Sequence, residues 1–189
     1  MKKIDIKTPK EQLVRIVEEA LGLYAYRETL DLTRIGTKEY QENYANYYKM
    51  SRMDENWRAA YFVYMQKQVG NSDITFEEIF KQISRVPHKW GDGSRTTNDA
   101  SFASKMLATI NPNYPILDSN VAKALGFNYH AKSMQYCIEI YNELTENVHS
   151  FLQTNGGAKC VKEFDRMCPN FTDISPVKKI DLYLWKMGK

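Results

Sequence analysis

Glycine and proline are scarce in this chain, nine and six among 189 residues. A fold of many short strands needs frequent turn formers, so this shortage excludes one and favours long helices. Cysteine is scarcer still. Cys137, Cys160 and Cys168 are odd in number and contain no C-x-x-C pair, so a disulfide scaffold is not expected and the thiols read as reduced, as in a cytoplasmic protein. No apolar run approaches the ~18 residues of a membrane span, and the opening MKKIDIKTPKEQLV has no signal-peptide core. Nothing in the sequence therefore directs the chain to secretion or into a membrane. The patterns G-x-S-x-G, G-x-x-x-x-G-K-[ST], H-E-x-x-H and G-x-G-x-x-G are also missing, which removes the commonest hydrolase, nucleotide and zinc-peptidase templates. His88, His130 and His149 stand at no ligand spacing with one another or with cysteines, so no metal or cofactor is expected.

What is present suits a globular domain with a sizeable core: 43% hydrophobic and 26% charged residues. The net charge of +3 is too small to imply nucleic acid by itself. Its placement is more informative. Residues 81–105 carry Lys81, Arg85, Lys89, Arg95 and Lys105 against Asp92 and Asp99, a local excess of three positive charges. A solvated basic face and a phosphate-binding patch both fit that excess.

Apolar spacing is helical almost throughout, with no alternating strand, so the expected fold class is all-α. Thr8-Pro9 heads a helix that Gly22 is expected to stop, followed by a less regular stretch. Thr37 begins a helix with Tyr40, Tyr44, Tyr47 and Tyr48 on one face, and Asp54 caps one carrying Trp57, Tyr61, Tyr64 and Met65. Aromatic stripes at this spacing read as core more readily than as base-stacking platforms. Thr75 heads TFEEIFKQISRV. The aperiodic segment 87–97 is a loop, and Asn98 is expected to cap a helix through Ile110. That helix places Phe102, Ala103, Met106, Leu107 and Ile110 inward, with Ser101, Ser104 and Lys105 facing elsewhere. Asp118 caps the short helix SNVAKALG. A long helix over about 132–153 is expected to be broken by Gly156-Gly157. Ser175-Pro176 opens a final helix in which Lys179-Ile180-Asp181 reads as ordinary amphipathic patterning.

The stretch ASFASKMLATINPNYPILDSNV (100–121) joins a helix, a turn with Pro112 and Pro115, two apolar residues, Asp118 and a second helix. It resembles the helix-hairpin-helix DNA glycosylase superfamily, typified by endonuclease III and 8-oxoguanine glycosylase, over roughly residues 76–126. The resemblance implies a compact two-lobed helical domain spanning 1–189, acting on duplex DNA by base excision. It also implies that Asp118 is the superfamily's essential aspartate. Breaking an N-glycosidic bond builds positive charge on the sugar, and a fixed carboxylate stabilises that charge and orients a water. Backbone N–H groups at a helix start favour the charged form of such a carboxylate. On the residues alone, Asp118 reads first as a plain helix cap.

Two departures shape the expected chemistry. Family members with lyase activity place a Schiff-base lysine early in the preceding helix, where this chain has Asp99 or Ala100, and Lys105 lies more than a turn later. A monofunctional hydrolase fits better. The family's G-x-G step before the second helix is also absent, because Gly91-Asp92-Gly93 comes several residues too early. Backbone contacts are then expected from Lys89, Arg95, Asn98 and Lys105, with Trp90 as a stacking or wedge residue. The cysteine spacing cannot hold the cluster of endonuclease III. The alternatives are a nucleic-acid-binding protein that keeps the fold without catalysis, and an all-α interaction protein in which Asp118 only caps.

Overall fold

The computed structural model describes residues 1–7, 20–50, 53–87, 99–130 and 132–189. All regular structure among them is helical, in agreement with the all-α expectation. The helices are α1 (Ala20–Thr29), α2 (Lys38–Tyr47), α3 (Glu55–Lys67), α4 (Phe76–Ile83), α5 (Ala100–Ile110), α6 (Ser119–Leu125), α7 (Met134–Leu152), α8 (Asn155–Met167) and α9 (Pro176–Gly188). Single 3-10 turns occupy Leu32–Arg34 and Pro169–Phe171. The chain divides into two compact units, one of residues Leu21–Asn111 and one of Met1–Ala20 with Pro112–Lys189. The division falls at Asn111–Pro112, inside the segment 76–126 that carries the family resemblance.

Side-chain caps start most helices where the sequence places them. Thr37 accepts from the Tyr40 N–H, Asp54 from Trp57 and Ser175 from Lys178, and Ser133, which is not among the expected caps, accepts from Tyr136. Thr75 and Glu78 form a reciprocal capping box on α4. Each such bond satisfies a donor that a helix start leaves without an intrahelical partner.

Leu21–Asn111 is built on aromatic rings. Tyr40, Tyr44, Trp57, Tyr61 and Phe62 are buried, with Trp57 stacked on Tyr61 at 5.2 Å and packed on Phe102 at 5.3 Å. A buried hydroxyl must find a partner, and these do. The Tyr61 hydroxyl donates to the Phe102 carbonyl at 2.9 Å, so its own oxygen is left to accept from Tyr44 at 2.8 Å. Burial pushes both phenols well above their ordinary value. The tyrosine stripes are core, as their spacing suggests. In the other unit, α6 and α9 pack closely, with Leu117, Val121, Leu144, Val148, Phe164, Ile180 and Leu184 in the core. Cys137, Cys160 and Cys168 are buried there without forming a disulfide, and burial raises the Cys160 thiol to about 11. At that value it is a small apolar side chain and not a nucleophile.

Four local expectations need correction. Gly22 does not stop a helix; α1 runs through it to Thr29. Its backbone stays helical, and burial of Leu23 and Tyr26 offsets the ~1 kcal/mol penalty of glycine. Gly156-Gly157 does not break the long helix either. α7 ends at Leu152, Thr154 caps α8, and both glycines lie in its first turn. A Cβ on Gly157 would stand 2.2 Å from the Phe151 carbonyl oxygen, so glycine is what lets two helices meet at so tight a corner. Ser104 does not face outward; it is buried, its hydroxyl donating to the Ser101 carbonyl at 2.9 Å. Finally, Lys178, Lys179 and Asp181 are buried and not on an amphipathic exterior. Lys178 donates to Asp181 at 2.9 Å, and Lys179 donates to Asp165 and to the Thr172 carbonyl.

Candidate functional site

Asp118 stands at the head of α6, in the unit containing Pro112–Lys189. Its backbone is extended, with φ −136° and ψ 174°, and one carboxylate oxygen accepts from the Val121 N–H at 2.9 Å. The residue is part-buried. Gly126 closes α6 in the left-handed conformation, at φ 70°.

The turn that delivers Asp118 has no regular structure of its own, yet side chains hold its backbone. Ser175 Oγ donates to the Pro112 carbonyl at 2.6 Å, and His149 Nε2 lies 2.9 Å from the Asn113 carbonyl. The Tyr141 hydroxyl donates to the Pro115 carbonyl at 3.0 Å, and Asp181 accepts from the Ile116 N–H at 3.1 Å. These contacts come from α7, from α9 and from the Ser175 cap of α9. Pro115, Ile116 and Leu117 are buried, which anchors the chain just before the carboxylate surfaces. The sequence signals Asp118 and the prolines. It does not signal that Tyr141, His149, Ser175 and Asp181, which lie 23 to 63 positions further along, hold this turn. Tyr141 falls within the long helix expected over about 132–153, with no hint that its hydroxyl serves the turn.

Lys105 lies on α5, in the unit Leu21–Asn111. Its ammonium donates to the Tyr48 carbonyl at 3.1 Å and sits 4.8 Å from the centre of the Phe102 ring. Both contacts use the charge locally. Lys89, Trp90, Arg95 and Asn98 fall outside the described residues. The helices that flank them, α4 and α5, pack against each other. Asp99, at the N-cap position of α5, makes no cap hydrogen bond through its side chain and is 2% exposed. Burial raises its carboxyl to about 7. The signal that could have marked it in the sequence is only its position before an apolar helix.

Among the described residues, no group of three or more His, Cys, Asp or Glu side chains is arranged to hold a metal ion. No helix among them is long and apolar enough to cross a membrane. No family model, curated protein or solved structure matches the chain.

Proposed function

We propose that this chain is a monofunctional DNA glycosylase of helix-hairpin-helix type, hydrolysing the N-glycosidic bond of a base flipped out of duplex DNA. The observation that carries the reading is the placement of Asp118: a part-buried residue whose carboxylate is held by the Val121 N–H at 2.9 Å, at the end of a turn whose backbone is gripped from two helices. Preorganised charge is what an oxocarbenium-like transition state rewards, because the carboxylate does not have to reorient as charge develops on the sugar. In this mechanism Asp118 faces the sugar and orients the attacking water. The leaving base departs with the electron pair of the C–N bond, and water supplies the hydroxyl at C1′. Lys89, Arg95 and Asn98 contact the backbone and Trp90 fills or wedges the stack, while Lys105 stays engaged with the Tyr48 carbonyl and the Phe102 ring. The place of Asp99 and the local engagement of Lys105 favour hydrolysis over Schiff-base chemistry.

Incubation with duplexes that each carry one damaged base, followed by detection of abasic sites, tests this reading. Turnover is expected on at least one duplex and is expected to vanish in Asp118→Asn, which keeps a cap of similar quality and hence the fold. Duplex binding without abasic sites, unchanged in that variant, would instead mark a non-catalytic DNA-binding protein.

A further inference from the structure

One peptide group, Pro115–Ile116, is held at both of its polar ends by buried side chains from different helices. Its carbonyl accepts from the Tyr141 hydroxyl on α7 at 3.0 Å, and its N–H donates to Asp181 on α9 at 3.1 Å. Tyr141 is 1% exposed and Asp181 is 4% exposed. Resting on the reading of Asp118 as the reacting carboxylate, we propose that Tyr141 and Asp181 are positioning residues that fix the Asp118 carboxylate by clamping this peptide.

The argument is mechanical. A peptide plane in a turn can swing by coupled rotation of the dihedrals on either side of it. Here those dihedrals are ψ of Pro115 and φ of Ile116, neither of which the proline ring fixes, so the restraint falls to the two hydrogen bonds. With both the C=O and the N–H bonded to buried side chains, a swing of the plane breaks two hydrogen bonds. Leu117, fully buried, carries the constraint to Asp118. On the far side, the Asp118 carbonyl accepts from the Ala122 N–H at 2.9 Å, so the residue is held from before and after.

The clamp is also electrostatically consistent. Asp181 divides its two oxygens, one accepting from the Ile116 N–H and the other from Lys178 at 2.9 Å. Lys178 therefore neutralises a buried charge that would otherwise be costly, and it leaves the other oxygen free to make a charge-assisted bond to the turn. Burial foremost, and then the Asp181 charge, hold the Tyr141 phenol well above its usual range, so it remains a donor at any physiological pH.

Val121 offers a direct readout. As the third residue of a helix it has no intrahelical acceptor for its N–H, and the Asp118 carboxylate takes that role. Its amide exchange with solvent thus reports whether the carboxylate stays in place, with no need for substrate. Exchange is measured by NMR on the full chain for wild type, Tyr141→Phe, Asp181→Asn and a control, Tyr183→Phe. The control removes a buried hydroxyl, donating to the Cys160 carbonyl at 3.1 Å, that does not touch the turn. Relative to amides in the core of α7, Val121 exchange is expected to quicken about tenfold in Tyr141→Phe and to stay at the wild-type ratio in Tyr183→Phe. Asp181→Asn keeps an acceptor for Ile116 and is expected to fall between them. On a duplex that the wild type cleaves, Tyr141→Phe should lower the single-turnover rate about tenfold with DNA affinity unchanged. Wild-type Val121 protection in Tyr141→Phe, or equal quickening in Tyr183→Phe, overturns the clamp. A wild-type chain inactive on every duplex removes the glycosylase reading, while the exchange comparison still decides whether the clamp holds Asp118.

Discussion

Gly188 lies against Asn120 where the end of α9 meets the first turn of α6: a Cβ at Gly188 would stand 1.8 Å from the Asn120 carbonyl oxygen. Asn120 is two residues past Asp118, so this contact closes the helix that carries the candidate carboxylate against the C-terminal helix. The close approach, and not an unusual backbone angle, is what demands glycine here.

Gly188→Ala is therefore expected to destabilise the chain by about 1–3 kcal/mol, the usual range for overpacking. At this chain length that is a fall in melting temperature of roughly 2–4 °C per kcal/mol. Thermal unfolding followed by circular dichroism checks it. An unchanged midpoint would mean that the last turn of α9 yields without cost.

Asp99 makes stability depend on pH. Its folded-state value of about 7 lies above the ~3.9 of an exposed aspartate, so the folded chain binds this proton more tightly than the unfolded one. The cost of ionising it is absent below ~3.9, grows as pH rises from about 4 to 7, and is complete above that window. Relative to Asp99→Asn, wild type should lose up to about 4 kcal/mol between pH 4 and pH 8. Denaturant unfolding of both chains across that range measures it, and parallel pH profiles would contradict it.

Lys105 is expected to act in packing and not as a nucleophile. Replacing it by Gln removes the ammonium from the Tyr48 carbonyl and the Phe102 ring and should cost about 1–2 kcal/mol. Borohydride treatment of the wild type on a damaged duplex should trap no covalent adduct. A stable protein–DNA adduct that disappears in Lys105→Gln would make Lys105 the Schiff-base residue.

Nucleic-acid binding should depend on salt through the basic segment 81–105, with its excess of three positive charges. Arg95→Ala and Lys89→Ala are each expected to weaken duplex binding and to reduce the slope of log K against log salt by about one. Affinity and slope unaltered in both variants would place the contact surface elsewhere.

What is local is legible in the chain alone. Helical phase, the scarcity of glycine and proline, and the caps Thr37, Asp54, Thr75, Asp118 and Ser175 are properties of a few neighbouring residues, and helices form from such neighbours. Asp118 was legible for the same reason: a carboxylate after a proline turn and before an apolar helix is a short-range pattern. Only the tertiary structure decided what surrounds it. Whether Gly22 or Gly157 ends a helix depends on what approaches it, and two glycines of equal local signal turned out to do different work. Lys178 and Asp181, three apart on a helix, look like a solvated surface pair until the turn at Ile116 supplies the buried N–H that Asp181 meets. Tyr141 and Pro115 are 26 positions apart. No periodicity encodes such a pairing, because it exists only once two helices and a loop have packed and each buried polar group has had to find its partner.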